Sequence, residues 1–279
     1  MYATINYAAR VISLLAIVTA CQLHPASSST ADAIPTSGAD TLVTMTYNIH
    51  HANPPGTAEG TIRIDSIAAV INGVQPDLVA LQEIDVHTER SGPALHEAAR
   101  LAALTGMHYY FTQTLDYEGG AYGIAVLSRL PVIDSVGYLL PREPGTREEP
   151  RAVCMLQVRL ADSSTLYFAS THLGLTRKSR DLQTDSILQI FKKHPGALII
   201  GGDFNARPSS APIAKLLTVL SRSCTADCAP TIPSDKPREK IDYLMYKGNL
   251  QPLEQRVLNG TPWSDHLPVV TTFVLQPEQ

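Results

Sequence analysis

The chain of 279 residues has no run of five or six basic side chains, and its 22 Lys and Arg are outnumbered by 26 Asp and Glu, a formal net charge of −4. That excludes a generic nucleic-acid coat protein, whose affinity comes from neutralising many phosphates in a row. No uninterrupted apolar stretch approaches the roughly 20 residues that cross a bilayer. Cysteine is scarce: the four present lack the paired spacing of a closed tetrahedral zinc site. There is no internal repeat and only one low-complexity stretch, so a single core is expected. What is present is a globular composition, 44% hydrophobic and 17% charged, on a chain long enough to bury a substantial interior.

The first 20 residues read as an export signal. Val11 to Ala20 is a short apolar core behind Arg10, and Val18-Thr19-Ala20-Cys21 resembles the bacterial lipoprotein box, in which cleavage precedes a cysteine that then carries lipid. Residues 21–40 follow as a lipidated Cys21 and a Ser, Thr, Ala and Pro-rich tether with too little apolar surface to fold. The expectation is an exported protein of the bacterial cell envelope, held on a membrane by its lipid, with one folded domain over residues 41–279. Of the other cysteines, Cys224 and Cys228 are near enough to close a small surface loop or stay as thiols, and Cys154 is left over.

Hydrophobic periodicity outlines alternating helices and strands. Ile64, Ile67, Ile71 and Val74 recur at helical spacing, with Thr61 as an expected N-cap and Gly73 to Pro76 as the stop. Further helices are expected over 93–104 and 180–193 and after Ser210. Strand-like runs fall at 42–47, 78–81, 124–127, 153–160, 166–170, 197–200, 241–246 and 269–275, with the fourth and fifth forming a hairpin across Asp162-Ser163-Ser164. Alone, this pattern supports a layered α/β protein with two packed sheets.

The chemistry stands where these runs begin or end: Tyr47-Asn48, Gln82-Glu83, Thr171-His172, Gly202-Asp203-Phe204-Asn205, Ile241-Asp242 and Ser264-Asp265-His266. Carboxylates flanking buried strands are costly without a partner, so a cluster around a cation or another charge is expected. Leu81-Gln82-Glu83, Gly202-Asp203-Phe204-Asn205 and Ser264-Asp265-His266, in this order and at these separations, resemble the endonuclease/exonuclease/phosphatase superfamily, whose fold is that of deoxyribonuclease I. The resemblance covers about residues 41–275. It implies a four-layer α/β/β/α sandwich, two packed mixed β-sheets with flanking helices, and an enzyme that hydrolyses phosphate esters by attack of water.

Carried over residue by residue, the resemblance implies that Glu83, with Asn48 and Asp265 beside it, holds Mg²⁺ or Mn²⁺. Asp203 aligns or deprotonates the attacking water, Asn205 donates to it or to the phosphate, and His172 contacts a phosphoryl oxygen. Asp242 orients His266 and favours its charged form; Asp203 and His266 both stand as candidates for the base. One departure is plain: nucleases of the family carry an acid two residues after the first-strand Asn, and here that position is His50, followed by His51. His50, Tyr122 and Arg151 are expected substrate contacts, Arg151 because an arginine at a strand start can clamp phosphate bidentately. Asp85 and Glu89 to Gly92 are expected near the cleft, whereas His87, His96, His108 and His194 read as surface residues.

For substrate, an acidic, tethered phosphoesterase suits a lipid or small-molecule headgroup better than long DNA. No stable nucleic-acid partner is expected, and the protein should be a monomer. A secreted magnesium-dependent nuclease and a non-catalytic surface-binding lipoprotein are the alternatives.

Overall fold

The computed structural model describes residues 41–276. The expected export signal, Cys21 and the expected tether lie outside the described residues. Along the chain run β1 (Thr41–Asn48), α1 (Ile64–Val74), β2 (Leu78–Val86), α2 (Glu97–Thr105), β3 (His108–Tyr117), β4 (Gly120–Ser128), β5 (Val132–Leu140), β6 (Arg151–Arg159) and β7 (Thr165–His172). They continue with α3 (Arg177–Lys192), β8 (Leu198–Asp203), α4 (Ala211–Leu216), β9 (Ser221–Arg222), β10 (Asp242–Lys247), β11 (Leu250–Val257) and β12 (Val269–Leu275). The strands form two six-stranded sheets, ordered β11-β12-β1-β2-β4-β3 and β5-β6-β7-β8-β10-β9. Each is mixed, with one parallel pair at its centre: β1 with β2, and β7 with β8.

Side-chain alternation along the strands builds three cores. In β2, Leu78 and Ala80 join Ile124 and Val126 of β4 in the layer between the sheets, with Leu156 and Phe168 of the second sheet. The intervening Val79 and Leu81 pack instead with Ile67, Ile71 and Leu101 beneath α1 and α2. On the far side, Ile187 and Phe191 of α3 and Ile213 and Leu216 of α4 cover Leu198 and Ile200 of β8. The result is the four-layer α/β/β/α sandwich of the expectation.

The hairpin of β6 and β7 forms as expected. Four strands were not anticipated, and they are the four sheet edges: β3, β5, β9 and β11. An edge strand is half solvated and shows little alternation to read; β5 is exposed at its first four residues. Helix starts also moved. α1 opens behind Arg63 with no side-chain cap, and the expected cap, Thr61, lies two residues earlier and gives its backbone N–H to the Asn53 side chain. α2 starts four residues after Pro93, with the His96 ring accepting from the Ala99 amide, and the helix expected after Ser210 is α4, which ends at Leu216. His194 likewise is not a free surface ring, since it bonds the Tyr138 hydroxyl at 2.8 Å. Cys224 and Cys228 are disulfide-bonded, and Cys154 is a buried thiol in the inter-sheet core.

The two sheets approach each other closely near Gly201 of β8. A Cβ there would stand 2.9 Å from the Cβ atoms of both Thr46 in β1 and Ala80 in β2, a spacing that only glycine allows. Gly201→Ala is therefore expected to destabilise the fold by about 1–3 kcal/mol through overpacking, read as a lower midpoint in denaturant unfolding; an unchanged midpoint would show that the sheets can separate there at no cost.

Candidate active site

In each sheet, the central parallel pair ends at the same rim. Asn48 of β1 is in register with Gln82 of β2, and His172 of β7 with Asp203 of β8. Because β10 runs antiparallel to β8, its first residue, Asp242, stands directly opposite Asp203. At this rim lies a cavity of about 320 Å³ whose walls include Glu83, Arg151, His172, Asp203, Asn205 and His266.

Glu83 enters the cavity through a β-bulge. Between Gln82 and Ile84 the pairing of β2 with β4 slips by one residue, and Glu83 takes the left-handed conformation, φ 58°. Such backbone costs a non-glycine residue about 1–3 kcal/mol and is kept where the surroundings impose it. Asn48 then links the sheets: its amide nitrogen donates to Glu83 Oε1 at 2.9 Å and to Asp203 Oδ2 at 3.3 Å. Its carbonyl oxygen accepts from the His50 amide, so Asn48 acts here as a donor to both carboxylates. Burial raises the Glu83 carboxyl above its ordinary range, and the charge of Asp265 adds to this against the Asn48 bond.

His266 sits between two acids. Its Nδ1 lies 2.9 Å from Asp242 Oδ2, and its Nε2 lies 3.6 Å from Asp203 Oδ2. The Thr231 hydroxyl donates to Asp242 Oδ2 at 2.5 Å. Ser264 fastens the segment, donating to the Asn48 carbonyl and accepting from the His266 amide. Burial disfavours the imidazolium, but the charge and hydrogen bond of Asp242, then the charge of Asp203, outweigh it and push the ring up to about 10. Asp203 is pushed up to about 7 by burial and then by the facing Asp242.

His172 has the opposite character. Arg151 Nη1 lies 3.1 Å from its Nδ1, and a guanidinium can only donate. The ring nitrogen that accepts is therefore Nδ1, and Nε2 carries the hydrogen, 3.5 Å from Asp203 Oδ2. Burial and then the Arg151 charge hold His172 well below its ordinary value, as a neutral ring. Asn205, with φ 47°, turns sharply after β8; its amide donates to Asp203 Oδ1 at 2.8 Å and its side chain to the Leu173 carbonyl.

Of the other expected site residues, His50, Tyr122 and Arg151 all line the cavity, whereas Asp265 stands beside it without forming its wall. Cys21 lies outside the described residues. Asp85 is fully buried and spent on Arg90, which it binds at 2.7 and 2.9 Å. The Arg90 guanidinium in turn lies against the Tyr117 ring, 4.4 Å from its centre. Tyr117, Leu115 and Leu175 are cavity walls that the sequence did not reveal; the first two belong to β3, the unrecognised edge strand.

Among the described residues, two groups could hold a cation: His50, His51 and Glu83, and Asp203, Asp242 and His266. The second already contains its own cation in the charged His266. In the first, His51 Nδ1 is buried without a hydrogen-bond partner among the described residues, and burial, then the Arg90 charge, push that ring down to about 4. A neutral imidazole beside a carboxylate fits a divalent cation.

Residues 45–266 match the Endonuclease/Exonuclease/phosphatase family. The chain belongs to this family. Solved structures with the same fold include an endonuclease/exonuclease/phosphatase from Beutenbergia cavernae, 26% identical, with a TM-score of 0.70 over 85% of this chain and 72% of that one. A mannosyl-6-phosphatase from Bacteroides thetaiotaomicron is 18% identical, with a TM-score of 0.69 over 84% of this chain and 100% of that one. The human Nocturnin catalytic domain, determined with a bound sulfate anion, is 20% identical, with a TM-score of 0.66 over 85% of this chain and 94% of that one. A search of curated proteins finds no match.

The raised His266 makes the stability of this family member depend on pH. An imidazolium whose value rises from 6.5 to about 10 on folding stabilises the fold fully below pH 6.5, and this contribution is lost as pH rises through about 10. The Tm advantage of the wild type over His266→Gln is therefore expected to be largest near pH 6 and to shrink toward pH 10; an advantage that grows with pH would contradict a charged His266.

Proposed function

We propose that the chain is a divalent-metal-dependent phosphoesterase that hydrolyses a lipid or small-molecule headgroup phosphate ester by direct attack of water. The observation that carries this reading is the meeting of Asp203, His172 and His266 with Glu83 on one open cavity. A cation held at Glu83 would supply charge neutralisation for the phosphoryl oxygens.

The protein's own groups do the rest. Asp203 takes the proton of the attacking water, and its bond from the Asn205 amide fixes the carboxylate for that task. His266, charged and held by Asp242, is a donor to the developing phosphoryl charge rather than the base. His172 offers its Nε2 hydrogen to a phosphoryl oxygen, with Arg151 fixing the tautomer. The water oxygen bonds to phosphorus, the ester P–O bond breaks, and the departing oxygen leaves as an alkoxide that takes up a proton.

A cavity of about 320 Å³ suits one headgroup rather than a duplex. Leu175, 70% exposed at the cavity, gives it an apolar lip that fits the alkyl portion of a lipid. The likeness to a mannosyl-6-phosphatase keeps sugar phosphates within the headgroup class. Lipid attachment at Cys21 and the tether of residues 21–40 would keep the enzyme at the surface of a bacterial envelope membrane.

Bis-p-nitrophenyl phosphate and its monoester should be hydrolysed, and EDTA should stop the reaction. Glu83→Ala, Asp203→Ala and His266→Ala should retain the wild-type circular dichroism and lose about 10²-fold or more in turnover; wild-type turnover in any of the three refutes its assignment. Headgroup release from vesicles without nicking of plasmid DNA is expected, and the reverse result favours a nuclease. Cys21→Ser should abolish fatty-acid labelling in a bacterial host, and persistent labelling would remove the anchor.

A further inference from the structure

We infer that His50, His51 and Glu83 form a two-histidine, one-carboxylate metal site that selects an imidazole-preferring first-row divalent ion over Mg²⁺. The inference deepens the phosphoesterase reading by naming the ion its cavity takes and the residues that choose it.

The donor atoms of these three side chains all lie within 4.8 Å of one another. A first-row ion with bonds of about 2.0–2.2 Å holds its ligands no more than about 4 Å apart, so the group closes with movements of less than about 1 Å. Each imidazole is prepared in a different way. His50 Nδ1 lies 2.7 Å from the Asn53 carbonyl, which assigns its hydrogen to that nitrogen and leaves Nε2 with a lone pair. A backbone carbonyl behind a ligating histidine is the usual support of such sites, fixing tautomer and ring direction. The support is itself rigid: the Asn53 side chain donates to the Thr57 hydroxyl and accepts from the Thr61 amide. His51 Nδ1 is buried with no hydrogen-bond partner among the described residues, a costly position for a polar atom.

The backbone points the same way. His50, His51 and Ala52 have φ of 49°, 40° and 54°, three consecutive left-handed residues without a glycine. Each costs an L-residue about 1–2 kcal/mol, and the turn brings the two rings to 4.5 Å between centroids. Glu83, the third donor, is placed by its own left-handed bulge. Ligands from a strained turn and a bulge meet on the cavity that Asp203 and His266 also line. Mg²⁺ prefers oxygen ligands and water, whereas imidazole nitrogen suits ions such as Co²⁺ and Zn²⁺.

The test is metal binding by the purified, tag-free protein, read without turnover so that failure of the hydrolase reading and failure of this one are distinguishable. Titration with Co²⁺ should give one equivalent with visible ligand-field bands, and a 100-fold excess of Mg²⁺ should not displace it. His50→Asn and His51→Asn, which keep a side chain tolerant of positive φ, should each weaken Co²⁺ binding by about 10-fold or more, with Mg²⁺ binding by calorimetry unchanged. Displacement by equimolar Mg²⁺, or full Co²⁺ affinity in both variants, overturns the inference. Loss of Co²⁺ in Asp242→Asn together with retention in His51→Asn overturns it too, since the ion would then sit at the other cluster.

Discussion

Asp203 and Asp242 face each other across neighbouring antiparallel strands, both buried, with His266 between them to balance their charge. Like charges directly opposite in a sheet repel, and a buried carboxylate without a counter-charge costs several kcal/mol. The rest of the rim is arranged around this constraint. Thr231 and the His266 ring satisfy Asp242, while the Asn205 amide and the Asn48 side chain satisfy Asp203. Asn48 belongs to the other sheet, so the charge balance of the site depends on how the two sheets are packed. Gly201, two residues before Asp203, permits the close approach that brings them together.

Strained backbone recurs where chemistry is presented. Glu83, His50, His51 and Asn205 are non-glycine residues in left-handed conformations, and all line the same cavity. Strain of this kind persists only where neighbouring structure over-determines it. Here the central parallel pairs and the Asn53 loop do so, holding short polar segments against a rigid sandwich. The division of labour is physical: sheets set the distances, and bulges and turns aim the side chains.

That division also explains what could be read from the sequence. Central strands such as β2 and β8 are buried on both faces and show as apolar runs, and Glu83 and Asp203 stand out because a carboxylate ends or interrupts such a run. The edges β3 and β5 pair on one side only, so their pattern is faint; Leu115 and Tyr117 were lost with β3. The roles of Asn48 and Arg151 as positioning groups rest on contacts across 35 and 21 residues of sequence, which no local pattern encodes. Thr231 was invisible for the same reason: its hydroxyl matters only because Asp242, eleven residues on, folds back against it. Arg90 could be placed near the cleft from its loop, but its commitment to buried Asp85 and to the face of Tyr117 needed three dimensions.

The central claim is that two histidines on one cavity carry opposite charge states because of what each one faces. Long-range ¹H–¹⁵N correlation spectra of the histidine rings, assigned with His172→Gln and His266→Gln, read this directly. At pH 7 the account predicts a doubly protonated His266 and a neutral His172 with its hydrogen on Nε2. A neutral His266, or a His172 protonated on Nδ1, would contradict it.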